Sequence, residues 1–560
     1  MSSSIKKRFK FRDTLVITGL LTTVYITFVM FYLTYDIVES PDFEKYYRYF
    51  QYYSGEISYT DLDQGHSYFF FIYIASLLVS TLMPDISMNE ILNISIHFAN
   101  SVIYLIGIIG IYKLLIVKKF KKNITFLLLI VTTFLPASIV LRITFKPEIL
   151  VFSLICWVVL YIDKYSNYAK PRDALIAVIL LSILMTTKIS TTLMVLIFLG
   201  LIIIFDYRNL LNRKNTKFLL LLLILSAALF IENGQHNEKY LHQVTHNENY
   251  NNQAPIEFFT SVNYGDLKNN PDRYFHSDSF ISITLFDTFN DFFYLYWNSE
   301  YSELNQDRKQ FFKIISLKDN SPLKIRYSQD LDEYTLSGDF DERWRDARYI
   351  DETRMRFSFY TSILFYAMLI VCAIIFRQSR IFILSTLIGL IMVIFSTAGF
   401  FGTNNYDPLV GDSVKVYYYS FFVVISFVFV LSEIFNRINF GKVLFLGFIN
   451  LMFLFFIGFP FSFSDETKRD LNYKNSNLPM CEINQPIMKN LYSFEYDELD
   501  CKKIFTEEEI FYPIRYLEKT DLTLSLYRIP VLNILTLFLL IIISFKHRLY
   551  LYRKQEITNG

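Results

Sequence analysis

The chain has 560 residues, of which 53% are hydrophobic and 18% aromatic, and its mean hydropathy is +0.30. This apolar content exceeds what the core of a soluble domain needs and therefore predicts a protein of the lipid bilayer. Lys plus Arg (54) nearly balances Asp plus Glu (53), which argues against a nucleic-acid partner. Abundant Phe (57) and Tyr (41) with only 17 Gly and 14 Pro favour long helices over the short strands of a membrane barrel.

Thirteen apolar runs follow one another along the chain and are candidate membrane spans. They lie near 14–34, 67–84, 92–116, 124–142, 148–162, 174–187, 189–206, 218–231, 358–376, 381–401, 415–435, 443–463 and 531–545. If all thirteen crossed the bilayer, the basic run KKFKK at 118–122 would face the side opposite the basic N-terminal run KKRFKFR. The positive-inside rule disfavours that arrangement.

A helix over 67–84 that does not cross the membrane removes this conflict. The cytoplasmic segments then carry 24 Lys and Arg against four acidic residues, while the outer loop 35–66 carries seven acidic residues against two basic ones. We therefore predict an all-α polytopic protein of the prokaryotic plasma (inner) membrane, with about twelve transmembrane helices plus one non-spanning juxtamembrane helix. Both termini are expected to be cytoplasmic.

Three long segments are expected outside the membrane, with α or α+β structure. The predicted units are an N-terminal membrane module 1–231 with its first outer loop 35–91, a large extracytoplasmic loop 232–357, further spans 358–463, a second extracytoplasmic region 464–530, and a last span with a basic tail 531–560. The cytoplasmic connections are short and no GxxxxGK[ST] phosphate loop occurs, which excludes an ATP-driven pump.

The first outer loop carries the candidate catalytic carboxylates Asp42 and Glu44, in SPDFEKYYRYF. Glycosyl transfer from a lipid-phosphate donor needs a carboxylate near the membrane surface to deprotonate the acceptor hydroxyl, and cations to hold the leaving phosphate. Asp42 is placed for the first role. The alternative interpretation is that these are ordinary solvated acids of an outer loop.

Candidate cations lie at the expected outer ends of several helices. The candidates for lipid-phosphate binding are Arg142 and Lys146 in LRITFKPEILVF, Lys188 in LMTTKIS, and Lys415 with Tyr417 in GDSVKVYYYSFF. Glu148, in the first of these sequences, is a candidate for substrate binding. A lysine between outer helix ends can bind a polyprenyl phosphate as a point charge. The alternative is a side chain that only extends to the membrane interface.

Two further segments carry candidate sites. The stretch FHSDSFISITLFDTFNDFFYLYWNSE holds Asp287, Asp291 and Trp297, which suits either a sugar-binding surface or an amphipathic helix resting on the membrane. Cys481 and Cys501 share one polar loop, where they are either lone thiols or, in an oxidising compartment, a disulfide.

The order of these features resembles the GT-C superfamily of membrane glycosyltransferases, particularly its protein-mannosyltransferase and aminoarabinose-transferase-like branch. In that group the first span leads to an outer loop with a catalytic Asp or Asp-Glu pair, a tyrosine-rich stretch, and then juxtamembrane helices that do not cross. The corresponding features here are Asp42, the tyrosines of 46–53, and GHSYFFFIYIASLLVSTLMP. The resemblance covers residues 1–235 and, more loosely, 358–435.

The resemblance implies an inverting glycosyltransferase that moves a sugar from a polyprenyl-phosphate donor to a glycan, lipid or protein acceptor on the extracytoplasmic face. We expect no required cofactor and no metal site, and a divalent cation is not favoured. Besides membrane lipids, donor and acceptor are the expected partners. Two other classes stay open: a surface polysaccharide polymerase or ligase that relies on the arginines of the large loop, and a transporter of lipid-linked sugars. A transporter should carry mid-membrane charges and repeated halves, and few interior charges are found.

Overall fold

A computed structural model describes residues 3–34, 43–57, 64–168, 170–188, 213–237, 256–260, 279–289, 298–299, 324–328, 333–337, 349–350, 352–376, 421–437, 528–536, 538–540 and 542–543. Helices dominate these residues. They are α1 (Ser3–Thr34), α2 (Phe43–Ser54), α3 (Ser67–Leu82), α4 (Met88–Val117), α5 (Lys122–Thr132), α6 (Pro136–Ile143), α7 (Glu148–Tyr168), α8 (Pro171–Met185), α9 (Arg213–His236), α10 (Ile256–Thr260), α11 (Phe280–Asp287), α12 (Glu352–Ile375) and α13 (Phe421–Arg437). A last helical stretch begins at Val531, after residues 528–530.

Four short strands lie between α11 and α12. They are β1 (Asn298–Ser299), β2 (Lys324–Ser328), β3 (Glu333–Ser337) and β4 (Tyr349–Ile350). Strands β2 and β3 pair antiparallel with Arg326 opposite Thr335, and β1 pairs antiparallel with β4.

Helix α4 lies at the centre of the described bundle, where it packs against α1, α3 and α7, and α7 in turn packs against α8. Gly107 and Gly110 let α4 approach α7 closely, since a Cβ at either position would come within 2.7 Å of the Phe152 or Trp157 ring. Small residues at a helix interface bring two backbones together in this way in membrane proteins. The Trp157 indole N–H then reaches across to donate to the Ile106 carbonyl at 2.9 Å.

The outer faces of several helices are apolar and exposed. Leu15 and Tyr25 on α1, Leu223 on α9 and Ile374 on α12 are each more than half exposed. Apolar surface on this scale needs a nonaqueous neighbour, and a bilayer supplies one for helices. The chain is therefore a membrane-associated helical protein.

Two described helical segments are long and apolar enough to cross a bilayer, Leu15–Tyr32 and Glu90–Val117, and a third exists if the bent pair α5–α6 forms one span. Each predicted apolar run that falls within the described residues contains helix. The predicted spans 189–206, 381–401 and 443–463 lie outside the described residues, so the total of twelve stays a prediction.

The predicted span 124–142 is broken by 61° between α5 and α6. Pro136 begins α6 and has no backbone N–H to continue the helix, and Leu135 before it is extended with ψ 146°. At the break the Thr132 and Thr133 hydroxyls both donate to the Leu129 carbonyl, at 2.9 and 2.8 Å. The break leaves backbone carbonyls that need other donors.

Helix α3, the predicted non-crossing helix, has 16 residues. At about 1.5 Å per residue it is roughly 24 Å long, shorter than the roughly 30 Å of hydrocarbon that a span must cross. Its N-terminal half is buried from Ser67 to Tyr73 except Phe71, whereas Leu78 and Leu82 near its end are exposed. Because α8, which covers a predicted span, has only 15 residues, length alone does not separate α3 from the spans, and its non-spanning role stays a prediction.

Candidate functional site

The sequence-predicted site residues divide into those that the structure describes and those that it does not. Asp42, Asp291, Trp297, Lys415, Tyr417, Cys481 and Cys501 lie outside the described residues. Glu44 occupies the first turn of α2, and Asp287 is the last residue of α11. The side-chain geometry of the candidate site is therefore that of Arg142, Lys146, Glu148 and Lys188.

Lys146, Glu148 and Lys188 come together where α6 gives way to α7; we call these three residues the Lys146–Lys188 cluster. The Lys188 ammonium forms an ion pair with Glu148 Oε1. Lys146 is 3% exposed, with its ammonium 5.8 Å from the centre of the Tyr46 ring of α2. The other Glu148 oxygen, Oε2, is buried without a hydrogen-bond partner among the described residues.

The turn that carries Lys146 is held by α3 and α4. Asn100 of α4 donates from Nδ2 to the carbonyls of Arg142 and Thr144, at 3.1 and 2.9 Å. The Tyr68 hydroxyl of α3 donates to Asn100 Oδ1 at 2.8 Å. These bonds use both ends of one buried amide, so the backbone leading to Lys146 has a defined position.

Lys188 is positioned by the segment before α3. Gln64 and Lys188 form an antiparallel bridge, and the Gly65 N–H donates to the Thr187 carbonyl at 3.0 Å. A Cβ on Gly65 would lie 1.6 Å from the Thr186 carbonyl oxygen, so only glycine permits this approach. The hydroxyls of Ser67 and Thr186 are hydrogen-bonded at 2.7 Å.

The Arg142 guanidinium is directed into the interface between α1, α4 and the α5–α6 break. It donates to the Ser138 carbonyl at 3.0 Å, to the Thr27 hydroxyl at 2.5 Å and to the Thr133 carbonyl. The Phe31 and Tyr104 rings flank it, with centres 4.6 and 4.7 Å away. Arg142 thus supplies hydrogen-bond donors at the helix break, and its predicted contact with a lipid phosphate stays a prediction.

The tyrosines of α2 form a buried aromatic layer against α3. Tyr49 stacks on Phe69 with ring centres 4.0 Å apart and planes 8° from parallel. Tyr46 contacts both Phe69 and Phe145, at 5.0 and 5.9 Å. Because Phe145 precedes Lys146, this layer connects the beginning of α2 to the Lys146–Lys188 cluster.

A polar junction that sequence reasoning missed joins the C-terminal end of α9 to α2, α3 and residues 528–533. Asn233 Oδ1 accepts from the His66 backbone N–H at 2.8 Å, and Glu232 accepts from the backbone N–H groups of Leu532 and Asn533, at 2.6 and 3.2 Å. Arg528 donates to the Tyr52 carbonyl at 3.2 Å and to the Ile57 carbonyl. The only sequence signal was the polar run ENGQHN directly after an apolar run.

Burial dominates the ionisation of the aromatic groups at this junction. Burial, with a smaller contribution from the nearby His236 imidazole, lowers the pKa of His66 to about 3, and the His236 backbone partly opposes this shift. Burial likewise lowers the pKa of His236. The pKa of Tyr53 is raised well above its usual range by burial, and the pKa of Tyr52 is raised by burial against the opposing charge of Arg528.

Within the described residues no group of three or more His, Cys, Asp or Glu side chains is arranged to hold a metal ion. The expectation of no metal site stays a prediction. Comparison with known proteins finds no match to the chain, whether to a family model, a curated sequence or a solved structure. The fold and exposed apolar faces define the class as membrane-associated helical proteins, and any more specific function rests on the residues themselves.

Proposed function

We propose that the chain is an inverting glycosyltransferase that moves a sugar from a polyprenyl-phosphate donor to an acceptor on the extracytoplasmic face of the membrane. The observation that carries this proposal is the Lys146–Lys188 cluster. Lys146 of this cluster lies over the Tyr46 ring in the first turn of α2, the helix that follows Asp42 directly in the sequence.

The two lysines suit the phosphate of a lipid donor. Ammonium groups hold phosphate as point charges, and such contacts are strongest where water is excluded. Lys146 lies in the turn between α6 and α7, and Lys188 lies in the turn after α8. The Glu148 carboxylate holds the Lys188 ammonium in place through an ion pair. The cluster as the described residues form it has two cations and one carboxylate, a composition that suits a phosphate leaving group.

Asp42 suits the catalytic base. In the proposed step, Asp42 takes the proton of the acceptor hydroxyl, and the oxygen of that hydroxyl forms a bond to the anomeric carbon of the donor sugar. The bond between that carbon and the phosphate oxygen breaks, and polyprenyl phosphate leaves with the electron pair to the lysines. Attack from the face opposite the phosphate inverts the anomeric configuration.

The proposal includes the membrane topology of about twelve spans with cytoplasmic termini. The distribution of charged residues along the chain supports it through the positive-inside rule. With α3 outside the count, the acidic loop 35–66 and the turns at 146 and 188 lie on one face, and the basic segments lie on the other.

The test is donor turnover by the full chain in nanodiscs, given a panel of polyprenyl-phosphate hexoses and pentoses and followed by mass spectrometry. Wild type should release polyprenyl phosphate from at least one donor. Asp42→Asn should lower turnover by roughly 10²-fold or more, which is the usual worth of a positioned base. Glu56→Gln is the matched control, because Glu56 is an exposed carboxylate just after α2. Equal turnover by Asp42→Asn and Glu56→Gln would rule out the assignment of Asp42, and no release by wild type would rule out the function.

A further inference from the structure

Two histidines face each other at the junction of α2, α3 and α9. The His66 and His236 ring centres are 5.7 Å apart, with the planes at 68°. His66 directly precedes α3 and is fully buried, and His236 is the last residue of α9. Neither residue belongs to the Lys146–Lys188 cluster.

Each imidazole is bound by one of two consecutive tyrosines of α2. Tyr53 Oη lies 2.8 Å from His66 Nδ1, and Tyr52 Oη lies 2.7 Å from His236 Nδ1. The C-terminal half of α2 is thereby tied to α3 through one histidine and to α9 through the other. We call these two histidines and two tyrosines the His–Tyr clasp.

The surroundings of the His–Tyr clasp hold no carboxylate bonded to either imidazole among the described residues. The Glu232 carboxylate of α9 is engaged by the Leu532 and Asn533 amides instead. The titratable and charged groups described around the clasp are Tyr49, Tyr52 and Tyr53 on α2, Tyr73 on α3, Glu232 and His236 on α9, Lys188 after α8, and Arg528 before the last helix.

A proton on His66 would find no carboxylate bonded to the imidazole among the described residues, and only the His236 backbone would offset part of the cost of burying the charge. The His66 Nε2 atom is buried and makes no hydrogen bond of normal geometry with the described residues. A charged imidazole there would be buried beside a second imidazole, and a buried charge without a partner is strongly unfavourable. Only opening of the clasp to water would relieve it.

We propose that the His–Tyr clasp positions α2 while both imidazoles are neutral and releases it on acidification, so that His66 and His236 make the activity of this membrane protein acid-sensitive. The effect on activity rests on the proposed function, because α2 follows Asp42 and contacts Lys146 through Tyr46. The release of α2 on acidification does not depend on the proposed function.

The direction of the pH dependence follows from the two states. The pKa of His66 is held at about 3 by burial in the closed clasp and returns to about 6.5 when the clasp opens. The open state therefore binds more protons between these values, and closure is fully favoured above about pH 6.5. Below that, each pH unit can raise the open fraction up to about tenfold for one proton.

Hydrogen exchange of the full chain in nanodiscs tests the clasp from about pH 8 down to about pH 5, with rates corrected for intrinsic exchange. Protection of residues 43–57 should fall steeply below about pH 6.5, up to tenfold per unit, while residues 88–117 of α4 keep theirs. Wild-type protection that is independent of pH over residues 43–57 would overturn the proposal.

Asparagine variants separate titration from structure. In His66→Asn and His236→Asn the amide oxygen takes the place of Nδ1 as hydrogen-bond acceptor for tyrosine, but the side chain does not titrate. In the double variant the corrected hydrogen-exchange rate of residues 43–57 should not change with pH, even if that rate is higher than in wild type. A double variant that keeps the wild-type slope would refute the clasp, because the slope would then come from other groups.

Turnover of a polyprenyl-phosphate donor is measured on the same samples. Wild-type turnover should fall with the loss of protection in α2, and the double variant should keep its neutral-pH rate at about pH 5.5 within about twofold. If α2 opens with acid but wild type transfers no sugar at any pH, the clasp stands and the proposed function fails. If turnover persists in acid while α2 opens, the positioning role is refuted.

Discussion

Gly65 sets how closely the segment before α3 approaches the turn after α8. The backbone contact between Gly65 and Thr187 is part of what fixes Lys188, and the space for it exists because residue 65 has no side chain. Arg142 is the second residue with a clear local role. It is a buried cation that donates to the Thr133 carbonyl at the α5–α6 break, to the Ser138 carbonyl within α6 and to the Thr27 hydroxyl of α1.

Gly65→Ala should separate this segment from the Thr186 carbonyl, because its Cβ would lie 1.6 Å from that oxygen. The expected loss of stability is about 1–3 kcal/mol, typical of overpacking. Gly55→Ala is the control for backbone conformation alone: Gly55 has φ +94° and nothing within 4 Å of the added Cβ. In nanodiscs the thermal unfolding midpoint of Gly65→Ala should be lower than that of Gly55→Ala. The reverse order of midpoints would contradict the close approach of Gly65 to Thr186.

Arg142→Lys should destabilise the bundle by about 2–4 kcal/mol, because a lysine cannot reproduce the planar fork that serves the Thr27 hydroxyl and two carbonyls. Lys118→Ala removes a cation from an exposed ion pair with Asp163 at 2.8 Å and should cost at most about 1 kcal/mol. Comparison of the two unfolding midpoints measures the difference. Equal midpoints would mean that the buried guanidinium contributes no more than a surface charge.

How well the sequence predicts an element depends on how far apart in the sequence its contacting residues lie. Hydropathy predicts α1, α4, α7 and α8 well, because a long apolar run within a bilayer must satisfy its backbone hydrogen bonds internally, as a helix does. It misses the 61° break of 124–142, because a span of suitable total length hides a backbone interruption even where Pro136 is visible. The polar junction was beyond prediction, since its bonds join residues as far apart as Ser67 and Asn533.

Glu232→Gln should loosen the start of the last helix. The Glu232 carboxylate accepts from two backbone amides, Leu532 and Asn533, and so acts as an N-terminal cap supplied by another helix. Loss of the charge should cost about 0.5–2 kcal/mol of local stability, as for other N-caps. Hydrogen exchange over 528–536 should rise several-fold, while Glu90→Gln, a change in the exposed first turn of α4, should leave it unchanged. Unchanged exchange in Glu232→Gln would show that the cap contributes little.

At the scale of the whole molecule, exposed apolar helix faces and two segments long enough to span establish membrane association. The predicted sidedness comes from charge counting and from leaving α3 out of the spans. Of the candidate site, the sequence anticipated that Lys146, Glu148 and Lys188 share a region. It did not anticipate that Arg142 turns into the bundle, because its guanidinium contacts residues of α1 and α4 that are far away in the sequence, in addition to Thr133 at the nearby break.

Cysteine labelling tests the sidedness. In a background with Cys481 and Cys501 replaced by serine, Asp85→Cys should react with an impermeant maleimide added outside intact cells, and Lys121→Cys should react only after permeabilisation. Both positions are exposed in the structure. The remaining native cysteines, Cys156 and Cys372, are buried and should stay silent. Labelling of both introduced cysteines from the same side would contradict the exclusion of α3 from the spans.

Donor turnover by Lys188→Gln tests the central claim most directly. With wild type active on a polyprenyl-phosphate sugar in nanodiscs, loss of the ammonium that Glu148 holds should lower kcat/KM by about 10²–10³-fold, as expected for a lost contact to the leaving phosphate. Lys118→Gln, a matched change in the exposed pair with Asp163, should stay within about twofold of wild type. A folded Lys188→Gln variant that turns over donor at the wild-type rate would contradict phosphate binding at the Lys146–Lys188 cluster.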